Sequence, residues 1–297
     1  MEKNELFRNL NEGIIAERMR AFRANLRKNL PYIRRFGGLE RVVRLLSGKH
    51  VVIVGAGPSL DEGLRALKKY GGRRELAVIA ADMALRPLIK RGIRPSFVIS
   101  CEATPAGFFD GIETASMHLL AFSCMAHSTL RAWNGDISFY NWMLRGEPYD
   151  GLWREAGEGL GFVATGSIVT TQAVSLVLGC PVTTLALAGN DLAFYRSFYL
   201  RGTLRHARYL DNCERFASAE TMESAAIRRA REYVIDRNGR TCFTNGQFLA
   251  AKMWLEDLLP RQRLPIIDSS EPGCSERAVP KARLEEHLRL LDRGRRK

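Results

Sequence analysis

The chain has 297 residues, 46% of them hydrophobic and 26% charged, so it can bury a sizeable core and is neither disordered nor fibrous. Its formal charge of +13 suits an anionic partner such as a nucleotide, nucleic acid or acidic lipid, and does not choose among them. Six scattered cysteines without a C-x-x-C pair exclude a zinc ribbon or a disulfide framework and read as thiols in a reducing cytoplasm.

In chain order, MEKNELFRNL mixes acids with bases and has no signal-peptide pattern. Leu6, Leu10, Ile14, Phe22, Leu26 and Leu30 then recur mostly at i+4 among Arg18, Arg20, Arg23, Arg27 and Lys28. This predicts an amphipathic basic helix ending near Pro31, packed on its own domain or on a second protomer and not on a bilayer. A short helix over Gly38 to Leu46 follows.

From His50 strands and helices alternate. VVIVGAG, LAVIAAD, FVISCEA, HLLAFSCMA, ISFYNWM and TTLALAGND read as strands; Leu60 to Tyr70, Ala84 to Arg91 and Ser167 to Leu178 read as helices. The alternation predicts an α/β, Rossmann-like, mostly parallel sheet with helices on both faces, over 49–279. Residues 1–48 form an N-terminal helical extension and 280–297 a solvated, charged helix or tail. The uncharged run Leu160 to Asn190 could span a bilayer by length, but its glycines, threonines and Pro181 break it into loop, helix and strand. Further on, Ala219 to Tyr233 reads as helix, DRNGR as a tight turn, Asn245 as the cap of a helix to Leu259, and LPIIDSS as a late strand.

The turn GAGPSL after the first strand is the first candidate site. A dinucleotide fingerprint would need glycine where Leu60 stands, although Asp82 at the end of the next strand could meet a ribose. A Walker A loop is absent, since Gly48-Lys49 precedes the strand and is followed by His50. Ser59 and Glu62 have capping-box spacing, which would leave Gly55, Gly57 and Pro58 for a close approach of ligand to backbone. Thr165, Gly166 and Ser167 precede an uncharged helix and can offer hydroxyls and N–H groups to an anion, or simply cap it. Asn190 and Asp191 end an aliphatic strand at the carboxyl edge, where open sheets bind ligands. Tyr195, Tyr199, His206 and Tyr209 lie in a loop with Arg196, Arg201 and Arg205; His206 has a proton acceptor's intrinsic pKa. No histidine pair has metal-ligand spacing and there is no D-x-D motif, so a bound Mg²⁺ would have to draw Asp82, Glu102 or Asp191 together.

GAGPSL, IAADMALRPLIKRGIRPSFVISCEA, ATGSIVTTQAVSLVLGCPVTTLALAGNDLAFY, TNGQFLAAKMWLEDL and DSSEPG together resemble the domain of Maf (motility accessory factor) flagellin glycosyltransferases and MptE-like 6-hydroxymethylpterin diphosphokinases, over about Asn29 to Arg277. A more distant similarity is to bacterial CMP-sialic-acid sialyltransferases. The resemblance implies that Gly55, Gly57, Pro58 and Ser59 border a donor nucleotide, that Thr165, Gly166 and Ser167 meet it from the opposite strand, and that Asp82 lies near the nucleotide or sugar. Asn190 joins that set. Glu102 stands where the family commonly has aspartate. Tyrosines such as Tyr195 would support the departing phosphate, His206 would act as base, and Asp191 completes the catalytic set.

The implied function is transfer from a nucleotide-activated sugar, a CMP-nonulosonic acid, to flagellin or another acceptor in the cytoplasm. The alternatives are a diphosphokinase using ATP and Mg²⁺, and a nucleotide-binding scaffold without chemistry. No stable membrane insertion and no nucleic-acid partner are expected; oligomerisation is left open.

Overall fold

The computed structural model describes residues 3–194, 197, 199–211, 213, 218–228, 232–236 and 238–293. The strands are β1 (His50–Val54), β2 (Leu76–Ala81), β3 (Phe97–Ser100), β4 (His118–Phe122), β5 (Asp136–Trp142), β6 (Phe162–Val163), β7 (Thr184–Ala188), β8 (Glu232–Ile235), β9 (Thr241–Thr244) and β10 (Ile266–Asp268). The helices are α1 (Lys3–Phe36), α2 (Glu40–Leu46), α3 (Leu60–Tyr70), α4 (Asp82–Lys90), α5 (His127–Arg131), α6 (Tyr149–Ala156), α7 (Val169–Leu178), α8 (Leu204–Asp211), α9 (Ala219–Arg228), α10 (Gly246–Leu258), α11 (Leu284–Leu288) and α12 (Leu290–Arg293).

Among the described residues one sheet has eight parallel strands in the order β10-β7-β1-β2-β3-β4-β5-β6, and β8 and β9 form a separate antiparallel hairpin. The chain builds outward from β1 to β6 and then returns to lay β7 on the other side of β1. That reversal opens a crevice at the carboxyl ends of β1 and β7, the usual ligand position in such sheets. Val51 and Ile53 face a core shared with α1, α7 and α10, whereas Val52 and Val54 face a second core under α3, α4 and α11. Burial on both faces explains why the strands read as aliphatic runs without polar alternation.

The basic N-terminal helix lies on this sheet. Phe22, Leu26 and Ile33 are buried, each contributing about 2 kcal/mol of apolar burial. Asn29 Nδ2 donates to the carbonyls of Ser123 and Met125, at 3.0 and 2.9 Å, tying the helix to the loop after β4. Contrary to expectation, α1 does not stop near Pro31 but runs on to Phe36. Proline costs a helix one hydrogen bond. Here the turn beyond it is held by packing, with Ile33 in the core and Tyr32 edge-on to His127.

Two further expectations change. Helix α9 is described over Ala219–Arg228, and Tyr233 belongs not to it but to β8, paired with Phe243 of β9. The Asn238-Gly239 turn closes that hairpin, with Gly239 at φ +77° and the Asp236 carboxylate accepting from the N–H groups of Asn238 and Arg240. The tail from Pro280 is not solvated up to residue 292. Leu284, Leu288 and Leu291 are buried in the second core, and Asp292 takes hydrogen bonds from Tyr70 and Arg73. Among the described residues no helix is long and apolar enough to cross a membrane.

Candidate functional site

The cleft sits at the β1/β7 switch point. It is open to solvent, has a cavity volume of about 120 Å³, and is lined by Gly55 to Gly57, Ala81, Met83, Ile168 to Thr170, Gly189 to Ala193, Tyr199 and Phe248. The lining is mostly apolar and, among the described residues, holds neither lysine nor arginine.

Its floor is a pair of interlocked turns. The Gly55 N–H donates to Ala188 O and the Gly57 N–H to Gly189 O, both at 2.8 Å. A Cβ on Gly55 would strike Gly189 O, and one on Gly57 would strike the Asp191 carboxylate. Both glycines are therefore required by the protein's own packing. The carboxylate of Asp191 lies in that space and accepts the Ser59 N–H at 3.0 Å and the Ser59 hydroxyl. Ser59 consequently makes no side-chain cap on α3, and the expected capping box does not form. Asp191 is 3% exposed, and burial pushes its carboxyl up to about 7 against the opposing Ser59 hydrogen bonds, with Asp268 adding to the rise. Asn190 donates to Ile53 O and Ala188 O, at 3.3 and 3.2 Å, and its N–H donates to Ser270 Oγ, stitching β1, β7 and β10.

Asp82 opens α4. Its carboxylate accepts from Ser100 Oγ and the Met83 N–H, both at 2.7 Å, and burial raises it to about 6. Glu102 is turned to the surface, accepting from Arg18 and from the Thr104 N–H and hydroxyl. Among the described residues no three acidic, histidine or cysteine side chains converge as a metal cluster. Asp82 and Glu102, already engaged, do not fit a protein-held Mg²⁺.

The opposite wall is the loop into α7. Gln172, 2% exposed, accepts from Tyr140 OH and Trp142 Nε1 and donates to Thr165 Oγ1 and Cys101 Sγ. It fastens this loop to β3 and β5. The Gly166 N–H donates to Thr171 Oγ1 at 2.9 Å, and a Cβ on Gly166 would press into the Trp254 ring. Ser167 then adopts φ +80°, a conformation costing a non-glycine residue of order 1 kcal/mol or more. The helix begins at Val169, two residues later than expected, with Ile168 at its N-cap; no side chain caps it. Ser167 Oγ and Thr170 Oγ1 are buried and have no hydrogen-bond partner among the described residues. Thr170 is 6% exposed and lines the cleft.

The arrangement can receive an anion: it offers an uncapped helix N-terminus with its partial positive charge and two unpartnered hydroxyls. A buried hydroxyl without a partner costs roughly 1–3 kcal/mol, which an arriving phosphate oxygen would recover. Leu192, which lines the cleft, also has a positive φ, of 57°, so a second strained non-glycine residue stands in the lining itself.

The structure thus brings Gly55, Gly57, Asn190 and Asp191 to the cleft, with Pro58 and Ser59 behind Gly57. It places Thr165, Gly166 and Ser167 on the approach to α7 and Asp82 between two lining residues. Glu102 is not among the lining residues. Nor is His206, which sits on α8; its imidazole is lowered by burial and then by Arg201. Tyr195 lies outside the described residues. Sequence reasoning missed Thr170, Gln172 and Phe248. The non-capping Ile168 before the Thr-Thr pair was the available signal for the first.

The model of the family 6-hydroxymethylpterin diphosphokinase MptE-like matches residues 24–197. No curated protein matches the chain in sequence. Among solved structures, the Maf glycosyltransferase from Magnetospirillum magneticum AMB-1 superposes with a TM-score of 0.53 at 15% identity, covering 88% of this chain. The chain spans 42% of that protein's length, and at this identity the likeness concerns the fold.

Proposed function

The chain belongs to the family of 6-hydroxymethylpterin diphosphokinase MptE-like proteins, and within it we propose from the cleft's own chemistry that it is a cytoplasmic transferase taking a CMP-activated sugar, such as a nonulosonic acid, and passing the sugar to a protein acceptor of the flagellin kind. The observation that carries this reading is a single anion-ready helix entrance in a cleft whose described lining holds no cation. One phosphodiester suits such a receptor. A triphosphate concentrates more charge than one helix end and the Thr170 hydroxyl can balance.

In this reading Thr170 and the N–H groups at the start of α7 hold the phosphate as it leaves, while Met83, Leu192 and Phe248 shelter the base or sugar. Tyr199 lines the same cleft and offers a hydroxyl to the departing group. His206, on α8 outside the cleft lining, takes the acceptor proton in this reading where the acceptor reaches from the cleft to α8. Asp191, held by Ser59, acts as a positioning residue that fixes the β1/β7 floor.

The second reading is transfer of pyrophosphate from ATP to a pterin alcohol, favoured by the family match itself. Mg²⁺ would then arrive with the ATP phosphates. A nucleotide panel read by thermal shift separates the two. CMP and CDP without metal should raise the melting temperature more than ATP with Mg²⁺. Stabilisation by ATP and Mg²⁺ alone would replace the glycosyltransferase reading with the diphosphokinase one.

A further inference from the structure

Opposite the cleft, at the amino edge of the sheet, a cation precedes each of three neighbouring strands: Lys49 before β1, Arg74 before β2 and Arg94 before β3. Adjacent strands lie about 4.8 Å apart, so the three side chains share one short edge. They line an open groove with a volume of about 550 Å³, which also presents Leu45, an apolar side chain 41% exposed, over the buried Leu76, Phe97 and Met117.

The charges are oriented but not cancelled. Lys49 Nζ donates to the backbone carbonyl of Arg74, and Arg94 Nη1 to that of Glu113 at 3.0 Å. Both acceptors are neutral. Arg41 and Arg73, also in the groove, are answered by Asp136 and Asp292. Among the described residues no carboxylate pairs with Lys49, Arg74 or Arg94. Helix dipoles do not explain them either: Lys68 and Lys69 complement the end of α3, whereas these three stand in the loops leading into strands.

We infer that this groove docks an acidic polypeptide segment of a partner protein, one whose carboxylates alternate with apolar side chains. An extended chain presents successive side chains to opposite sides, which matches a row of cations beside the exposed Leu45, and Arg94 and Arg74 can each take a carboxylate with a guanidinium fork. Single-stranded nucleic acid would need exposed rings for its bases to stack on. The groove's rings, Phe97 and His118, are each only 5% exposed. The groove lies at the end of the sheet opposite the nucleotide cleft, so both can be filled at once.

The test uses the full chain and a fluorescein-labelled peptide of alternating glutamate and leucine, with a uridine oligonucleotide of matching length as competitor, at about 0.15 M salt. The peptide should bind the wild type and resist the oligonucleotide. Lys49→Glu/Arg74→Glu/Arg94→Glu should weaken it at least about tenfold and gain affinity for a lysine-leucine peptide, with the thermal response to CMP unchanged. Should the triple variant not fold, Arg94→Gln alone should weaken peptide binding about threefold. Absence of wild-type binding, equal binding by the variants, or preference for the oligonucleotide would overturn the inference.

Discussion

After β1 and β7, two loops bind each other's polar groups; before α7, a third loop leaves its polar groups waiting. In the first pair Gly57 makes room for Asp191, Asp191 accepts from Ser59, and Asn190 bonds to the backbone of both strands. In the third, Ser167 is held in a strained conformation, Ile168 cannot cap, and the hydroxyls of Ser167 and Thr170 have no partner among the described residues. A glycine-rich turn after a first strand is thus not in itself a cradle for phosphate. What a Cβ would strike decides whether the glycine serves a ligand or the protein.

The largest effect should come from breaking the filled side. Gly57→Val drives a branched side chain into the Asp191 carboxylate and should lower the unfolding free energy by about 3 kcal/mol in urea titrations. Unchanged stability with lost nucleotide binding would mean that the space belongs to a ligand after all.

Asp191→Asn sharpens the contrast through pH. The folded carboxyl stands at about 7, above its ordinary value near 4, so between those values the folded state keeps a proton that the unfolded chain has released. Its stabilisation is full below about pH 4 and is lost as pH rises through 7, with a slope on the order of 1 kcal/mol per pH unit. The wild type should therefore lose stability relative to the asparagine variant from pH 5 to 8. Asp82, raised to about 6, titrates with the same sign in both proteins and drops out of the difference. Parallel melting curves across that range would show that Asp191 is ionised in the fold.

The smallest effect belongs to the open side. Ser167→Gly relieves the backbone at φ +80° and removes an unanswered hydroxyl, so stability should rise by up to about 1 kcal/mol. A loss in the same urea titration would mean that the hydroxyl has a structural partner.

The sheet was legible because β1, β2 and β7 are aliphatic on both faces, and the Asn245 cap because asparagine precedes a clear apolar helix; its Oδ1 does accept the Phe248 N–H. What escaped the sequence depends on contacts far along the chain. Ser59 has the local spacing of a capping box, yet its hydroxyl is taken by a residue 132 positions away. Pro31 reads as a stop, yet the turn beyond it is bought by packing on the sheet. Thr170 looks like any threonine in the first turn of a helix. Its importance appears only when Gln172 and Trp254 are seen to fix the loop before it and the cleft is seen to open beside it. The candidate residues Gly55, Gly57, Asn190 and Asp191 were found at the right edge of the sheet, but their polar groups and close approaches serve the floor itself.

Calorimetric titration of CMP into the wild type and Thr170→Val tests most directly whether the start of α7 is the phosphate receptor. Valine keeps the shape and removes the unpartnered oxygen, so the variant should melt at or above the wild-type temperature while CMP affinity falls about tenfold, near 1.4 kcal/mol. Equal affinity in the two proteins would contradict the assignment.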